Sequence, residues 1–177
     1  VMNTFFAKPA LDQKADLEDL ARDLSLEENA ELRQRVQEYA LQNGMYQVDD
    51  TSGTNISVQV FDTTRIDPRP LPPEVQWMED IIREEKPVLL VMDYAFGEQA
   101  FETMDELLKP METEDGDIPL RVESISLMGK AGILEGGKGD IMIPTAHVFE
   151  GTADNYPFHN DLCGSQFDDM DLRVCEG

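Results

Sequence analysis

Pro87-Val88-Leu89-Leu90-Val91-Met92 is a short, unbroken apolar run that stops at Asp93. Successive side chains of a strand point to opposite sides, so a strand made of this run is apolar on both faces. Such a strand needs cover on both sides. Buried strands of parallel sheets, with helices over each face, read this way. The run therefore predicts a layered α/β fold with Val88–Met92 inside it.

The flanking sequence fits that expectation. An amphipathic helix is predicted over Glu74 to Glu85, with Val75, Met78, Ile81 and Ile82 inward. Another is predicted from about Glu98 to Leu108, with Phe101, Met104, Leu107 and Leu108 on one side. Glu112 to Asp117 reads as an acidic loop, and strands are predicted at Val122–Met128 and Asp140–Pro144. Strand, helix and strand in this order make a right-handed βαβ crossover.

The earlier chain reads as helical. Leu17, Leu20 and Leu24 recur at helical spacing. Ser25 and Glu28 have capping-box spacing, which would start a second helix bearing Leu32, Val36, Tyr39 and Ala40. Asn43-Gly44 is a fitting stop. Ile56, Val58 and Val60 alternate with polar residues as in a half-buried strand, and Asp67–Pro73 is a proline-stiffened connector. The predicted class is α/β, with a mostly parallel or mixed sheet flanked by helices. Residues 1–50 form a helical preface and residues 51–177 the α/β domain.

Charge narrows the partners. Asp and Glu number 37 against 14 Lys and Arg, a formal net charge of −23. Such a surface repels phosphate backbones and anionic lipid, so neither nucleic acid nor membrane is an expected partner. The acidic excess is spread along the chain, which favours adaptation to concentrated salt over an ordinary acidic protein. No apolar run approaches the roughly 20 residues a membrane-spanning helix needs. Val1–Phe6 lacks the basic region of a signal peptide, so the expected compartment is the cytoplasm. Cys163 and Cys175 have no CxxC or zinc spacing and are expected as free thiols.

The most informative string is Ser124-Ile125-Ser126-Leu127-Met128-Gly129-Lys130-Ala131-Gly132-Ile133-Leu134, followed by Gly139-Asp140-Ile141-Met142-Ile143-Pro144. Small residues at a strand's carboxyl end let a flat ligand approach the backbone, and ligands of open α/β sheets bind at that edge. For each glycine taken singly, a tight turn is the simpler account. The combined string resembles the signature of the purine nucleoside/uridine phosphorylase superfamily, over roughly residues 86–160. The likeness is that of a separate branch and not of a known member enzyme.

This resemblance implies a phosphorylase/hydrolase-like fold that cleaves the N-glycosidic bond of a nucleoside or nucleotide by phosphorolysis or hydrolysis. Phosphate would then serve as co-substrate and not as a resident cofactor. The implied ligand-binding residues are Ala131 and Gly132 lining the base in the turn that starts at Gly129, Lys130 steadying an anion, Glu150, Gly151 and Thr152 near the sugar or phosphate, and Gly97 and Glu98 at the crevice. Two departures stand out. Leu127 occupies the position of the family's phosphate-holding arginine, and Lys130 that of its serine. The strand that holds the ribose and the aspartate that protonates the base have no counterpart up to Gly177. The catalytic residues are therefore unknown: the resemblance implies that the chain is a fragment, that another chain completes the site, or that the family's chemistry is gone, and the first is the expectation.

Weaker signals add little. Asp154, His159 and Asp161 match no metal template. His147 reads as a core histidine, and Asn155–Phe158 as a loop over the pocket. No Walker loop or G-x-G-x-x-G occurs, so neither ATP nor NAD is expected. The alternative function is a non-catalytic nucleotide-binding or assembly module of the same fold. Under either reading the apolar helix faces of the preface call for a homo-oligomer.

Overall fold

The structure is a computed structural model describing residues 2–11, 16–51, 53–71, 75–148, 151, 153, 155–157, 159–169 and 173–177. Two compact units emerge, Val1–Leu120 and Arg121–Gly177.

The first unit opens with α1 (Met2–Leu11), α2 (Leu17–Ser25) and α3 (Ala30–Gln42). A 3-10 turn over Glu27–Asn29 joins α2 to α3. The expected Ser25–Glu28 capping box does not form. Ser25 closes α2 instead, and its hydroxyl donates to the Arg22 carbonyl at 2.6 Å. Arg33 reaches back to donate to the carbonyls of Leu24, Leu26 and Glu27. One planar guanidinium thus satisfies several acceptors that a helix end leaves open.

Three strands follow, β1 (Met45–Val48), β2 (Val58–Asp62) and β3 (Val88–Met92), in the order β1-β2-β3. Both pairings are antiparallel, with Met45 and Leu89 on either side of Phe61. Period-2 alternation puts Met45, Phe61, Gln59, Leu89 and Val91 on one face. Tyr46, Val48, Val58, Val60, Val88, Leu90 and Met92 share the other. The core lies on the Phe61 side. Phe61 is fully buried and stacks on Phe6 of α1 at 6.1 Å. Ala7, Leu11, Leu20, Val36, Ala40 and Ile66 complete this core.

Several expectations for this unit are corrected. β3 is an antiparallel edge strand, and Val88, Leu89, Leu90 and Val91 are all exposed. The helix before it, α4, spans only Glu79–Glu85. Val75 and Met78 precede that helix and are exposed, as is Ile81. With Ile81 and Ile82 its sole apolar residues, α4 has too narrow a stripe to cover a strand. In α5 (Gly97–Leu108), Met104 and Leu107 are half-buried, whereas Phe101 and Leu108 are exposed. The expected acidic loop is a hairpin of β4 (Met111–Thr113) and β5 (Gly116–Ile118), turned at Glu114-Asp115 with Gly116 at φ +118°.

The second unit begins with residues 121–133, which have no helix or strand. The strand expected at Val122–Met128 is therefore absent, since no described segment offers it a ladder. β6 (Ile141–Ile143) pairs in parallel with β9 (Val174–Glu176), and β7 (Ala146–Val148) pairs antiparallel with β8 (Asn155–Pro157). Asn155–Pro157 is thus a strand and not a loop. Nor does α5 cross between parallel strands, because among the described residues β3 pairs only with β2. The class is mixed α/β, with small antiparallel sheets and one parallel pair. Among the described residues no helix is long and apolar enough to cross a membrane.

Gly44 carries the turn between α3 and β1. Its φ is +98°, and a Cβ there would sit 2.8 Å from the Asp62 carbonyl oxygen. The same junction holds the Asp62 N–H to the Gly44 carbonyl at 2.8 Å. Gly44→Ala is expected to destabilise the fold by about 1–3 kcal/mol, the usual cost of one strained residue. Urea unfolding measures this, and an unchanged midpoint would show that the turn relaxes freely.

Candidate functional site

Gly129, Lys130, Ala131 and Gly132 lie in the irregular stretch 121–133, and all four are exposed. They do not sit at the carboxyl edge of a strand. A Cβ added to Gly132 would meet nothing within 4 Å, so neither a close approach nor a tight turn requires glycine there. The second half of the string has a local structural role. Asp140 folds back to accept from the Gly137 N–H at 2.7 Å, and its own N–H donates to the Gly137 carbonyl. Gly136 and Gly139, both at φ +101°, allow that turn to close before β6.

The other expected ligand residues are scattered. Gly97, at φ +56°, opens α5, and Glu98 is an exposed acid in its first turn. These two belong to the first unit, whereas Gly129–Gly132 and Gly151 belong to the second. Gly151 is an exposed turn residue, and Glu150 and Thr152 lie outside the described residues. His159 approaches Asp161 at 3.7 Å with both side chains exposed, and Asp154 lies outside the described residues. Cys163 and Cys175 are free thiols.

The sheet of the first unit has a more distinctive surface. On the face away from Phe61, Tyr46, Val48, Val88 and Leu90 are exposed, and Val58, Val60 and Met92 are half-buried. Charges of both signs border that face: Asp62 accepts from the Thr64 N–H and hydroxyl, and Arg65 donates to the Tyr46 hydroxyl at 2.8 Å. On the core face, the helices cover β1 and β2 but leave Leu89 43% and Val91 40% exposed. A trough of about 370 Å³ opens beside Leu24, Arg33, Val36, Gln37 and Gln59. Gln59 pairs with Val91, so the trough adjoins the uncovered strand. Among the described residues β3 is thus exposed on both faces and unpaired at one edge.

A sequence model for a family of unknown function, DUF6909, matches residues 21–173. The chain belongs to the DUF6909 family. The matched span includes the whole sheet and both apolar sides of β3. No curated protein and no solved structure matches the chain.

Electrostatic perturbations lie away from this surface. The Arg69 guanidinium, hydrogen-bonded to Asp67, holds that carboxyl below the usual range. The pair's stabilising effect is present above the ordinary carboxylate pKa and fades as pH falls through the lowered one. Asp105 and Glu106 raise the Lys109 ammonium, one helical turn along α5.

Sequence reasoning did not single out Tyr46 or Val48. The available signal was the alternation of Tyr46 and Val48 in β1, in step with Val58 and Val60 in β2. Substitution separates the two roles of the glycines. Gly132→Ala should leave the melting temperature within about 2 °C, since surface changes of this kind stay within ±0.5 kcal/mol. Gly136→Ala should lower it by several degrees, because alanine is strained at φ +101°. Equal losses at both positions would indicate that Gly132 is packed.

Proposed function

We propose that this chain is a non-catalytic assembly module whose three-stranded sheet docks another polypeptide. One observation carries the reading: Val88–Met92 is apolar on both faces, lies at a sheet edge, and has Val88 60% and Leu90 43% exposed. Folded proteins protect long, flat, apolar edges, because the open N–H and C=O groups recruit further strands. Contiguous apolar patches of this kind usually mark protein interfaces. The acidic exterior suits the role, since it limits indiscriminate association while leaving one largely apolar area. The proposed setting is a salt-rich cytoplasm, where free thiols persist.

A second reading keeps a nucleoside or nucleotide as ligand, with N-glycosidic cleavage as the chemistry. Its support is the Gly129–Leu134 string together with the parallel β6–β9 pair directly after Gly139-Asp140. The exposed, irregular setting of Gly129–Gly132 weighs against it.

The test is the mass of the tagged full-length protein isolated from its native cells. Wild type should elute above monomer mass. Leu90→Lys should elute as a folded monomer, with its circular dichroism unchanged. A wild-type monomer would reject the assembly reading. In parallel, nucleosides with and without phosphate are assayed for free base. No release is expected, and release would favour the second reading.

A further inference from the structure

We infer that the polypeptide docking on β3 is a second copy of this chain, added as an antiparallel β3–β3′ pair centred on Leu90. This inference rests on the assembly reading above and names its partner.

The backbone geometry selects the register. Asp93 donates its N–H to the Ser57 carbonyl at 3.0 Å, so Ser57 and Asp93 form a hydrogen-bonded pair. Antiparallel ladders alternate hydrogen-bonded and non-hydrogen-bonded pairs. Val91 and Leu89 therefore bond inward to Gln59 and Phe61. The main-chain groups of Val88, Leu90 and Met92 point to the open edge, where no described strand pairs with them.

A twofold axis at Leu90 sets Val88 opposite Met92′ and Leu90 opposite Leu90′. In that register each outward-pointing residue meets another outward-pointing residue, so the new ladder closes without a bulge. The sheet would then run continuously as β1-β2-β3-β3′-β2′-β1′. Both apolar faces would double in width, and Leu89 would lie beside Val91′.

Charge complements the same arrangement. The strand itself is uncharged, with Lys86 before its start and Asp93 directly after its end. Antiparallel pairing brings Lys86, the left-handed cap of α4 that follows Glu84 and Glu85, close to Asp93′, whose carboxylate also accepts from the Ser57′ N–H, at each end of the ladder. Parallel pairing would instead put Lys86 beside Lys86′. The wider charge of −23 per chain opposes association, so salt controls it. Screening shortens the Debye length from about 10 Å at 0.1 M to about 3 Å at 1 M. The pair should therefore tighten with added salt, the reverse of an interface held by ion pairs.

The experiment uses the purified full-length chain alone, with Cys163→Ser and Cys175→Ser as background. Light scattering should give a rising dimer fraction between 0.1 M and 1 M sodium chloride. Under mild oxidation Leu90→Cys should form a covalent dimer, since opposed residues lie about 5.5 Å apart between Cα atoms, within disulfide reach. Val88→Cys should not, because Val88 and Val88′ would be about 13 Å apart. Lys86→Glu should weaken the dimer by about two- to fivefold, as expected for an exposed pair. A monomer at every salt concentration would overturn the homotypic pairing. Cross-linking at Val88 in preference to Leu90 would also overturn it. A lone monomer alongside a heavier complex from native cells would leave the assembly reading standing. Monomers in both preparations would remove both.

Discussion

Phe61 is the joint between the helices and the sheet. It is fully buried, stacks on Phe6 from α1, and lies between Met45 and Leu89 across the strands. The cluster around it gathers residues from three helices and two strands into one core. Because this aromatic fixes which side of β2 faces the helices, it also determines which side does not. Val58 and Val60, its neighbours of opposite parity, must face outward with Tyr46, Val88 and Leu90. The open apolar surface is thus a direct consequence of where the core forms.

That surface lies within a strongly acidic chain. Like charge opposes collisions between copies, whereas the apolar surface carries little charge, so under the proposed pairing encounter and docking depend on different parts of the molecule. The trough beside Gln59 extends the uncovered area onto the core face, where α2 and α3 stop short of β3. One incoming strand could gain main-chain bonds at the edge and apolar contact on both sides. This combination is characteristic of recognition by strand addition.

Strong local signals were legible in the sequence. The apolar run gave β3, the 3.6-residue rhythms gave α2, α3 and α5, and Asn43-Gly44 gave the helix stop. Pairing was not legible, because strand direction depends on partners distant in sequence. The alternation of Val58 and Val60 located β2 but suggested the wrong inward side, since one large aromatic outweighs two valines. At Gly129–Leu134, small residues carried the family resemblance without a strand to support them. Further along, Asp140 accounts for its neighbouring glycines through a turn. α1 falls within the helical preface but has no clear signal of its own, because it holds Pro9 and only a weak polar–apolar rhythm.

Arg33 has a consequence for brine. The ion pairs described along the chain involve exposed side chains, and concentrated salt erodes attractions of that kind. Arg33 is instead committed to the backbone oxygens of Leu24, Leu26 and Glu27. Its clasp depends on short-range directional bonds to neutral acceptors, which dissolved ions disturb much less. The elbow between α2 and α3 would therefore hold its angle in a medium where the chain's carboxylate contacts had largely let go.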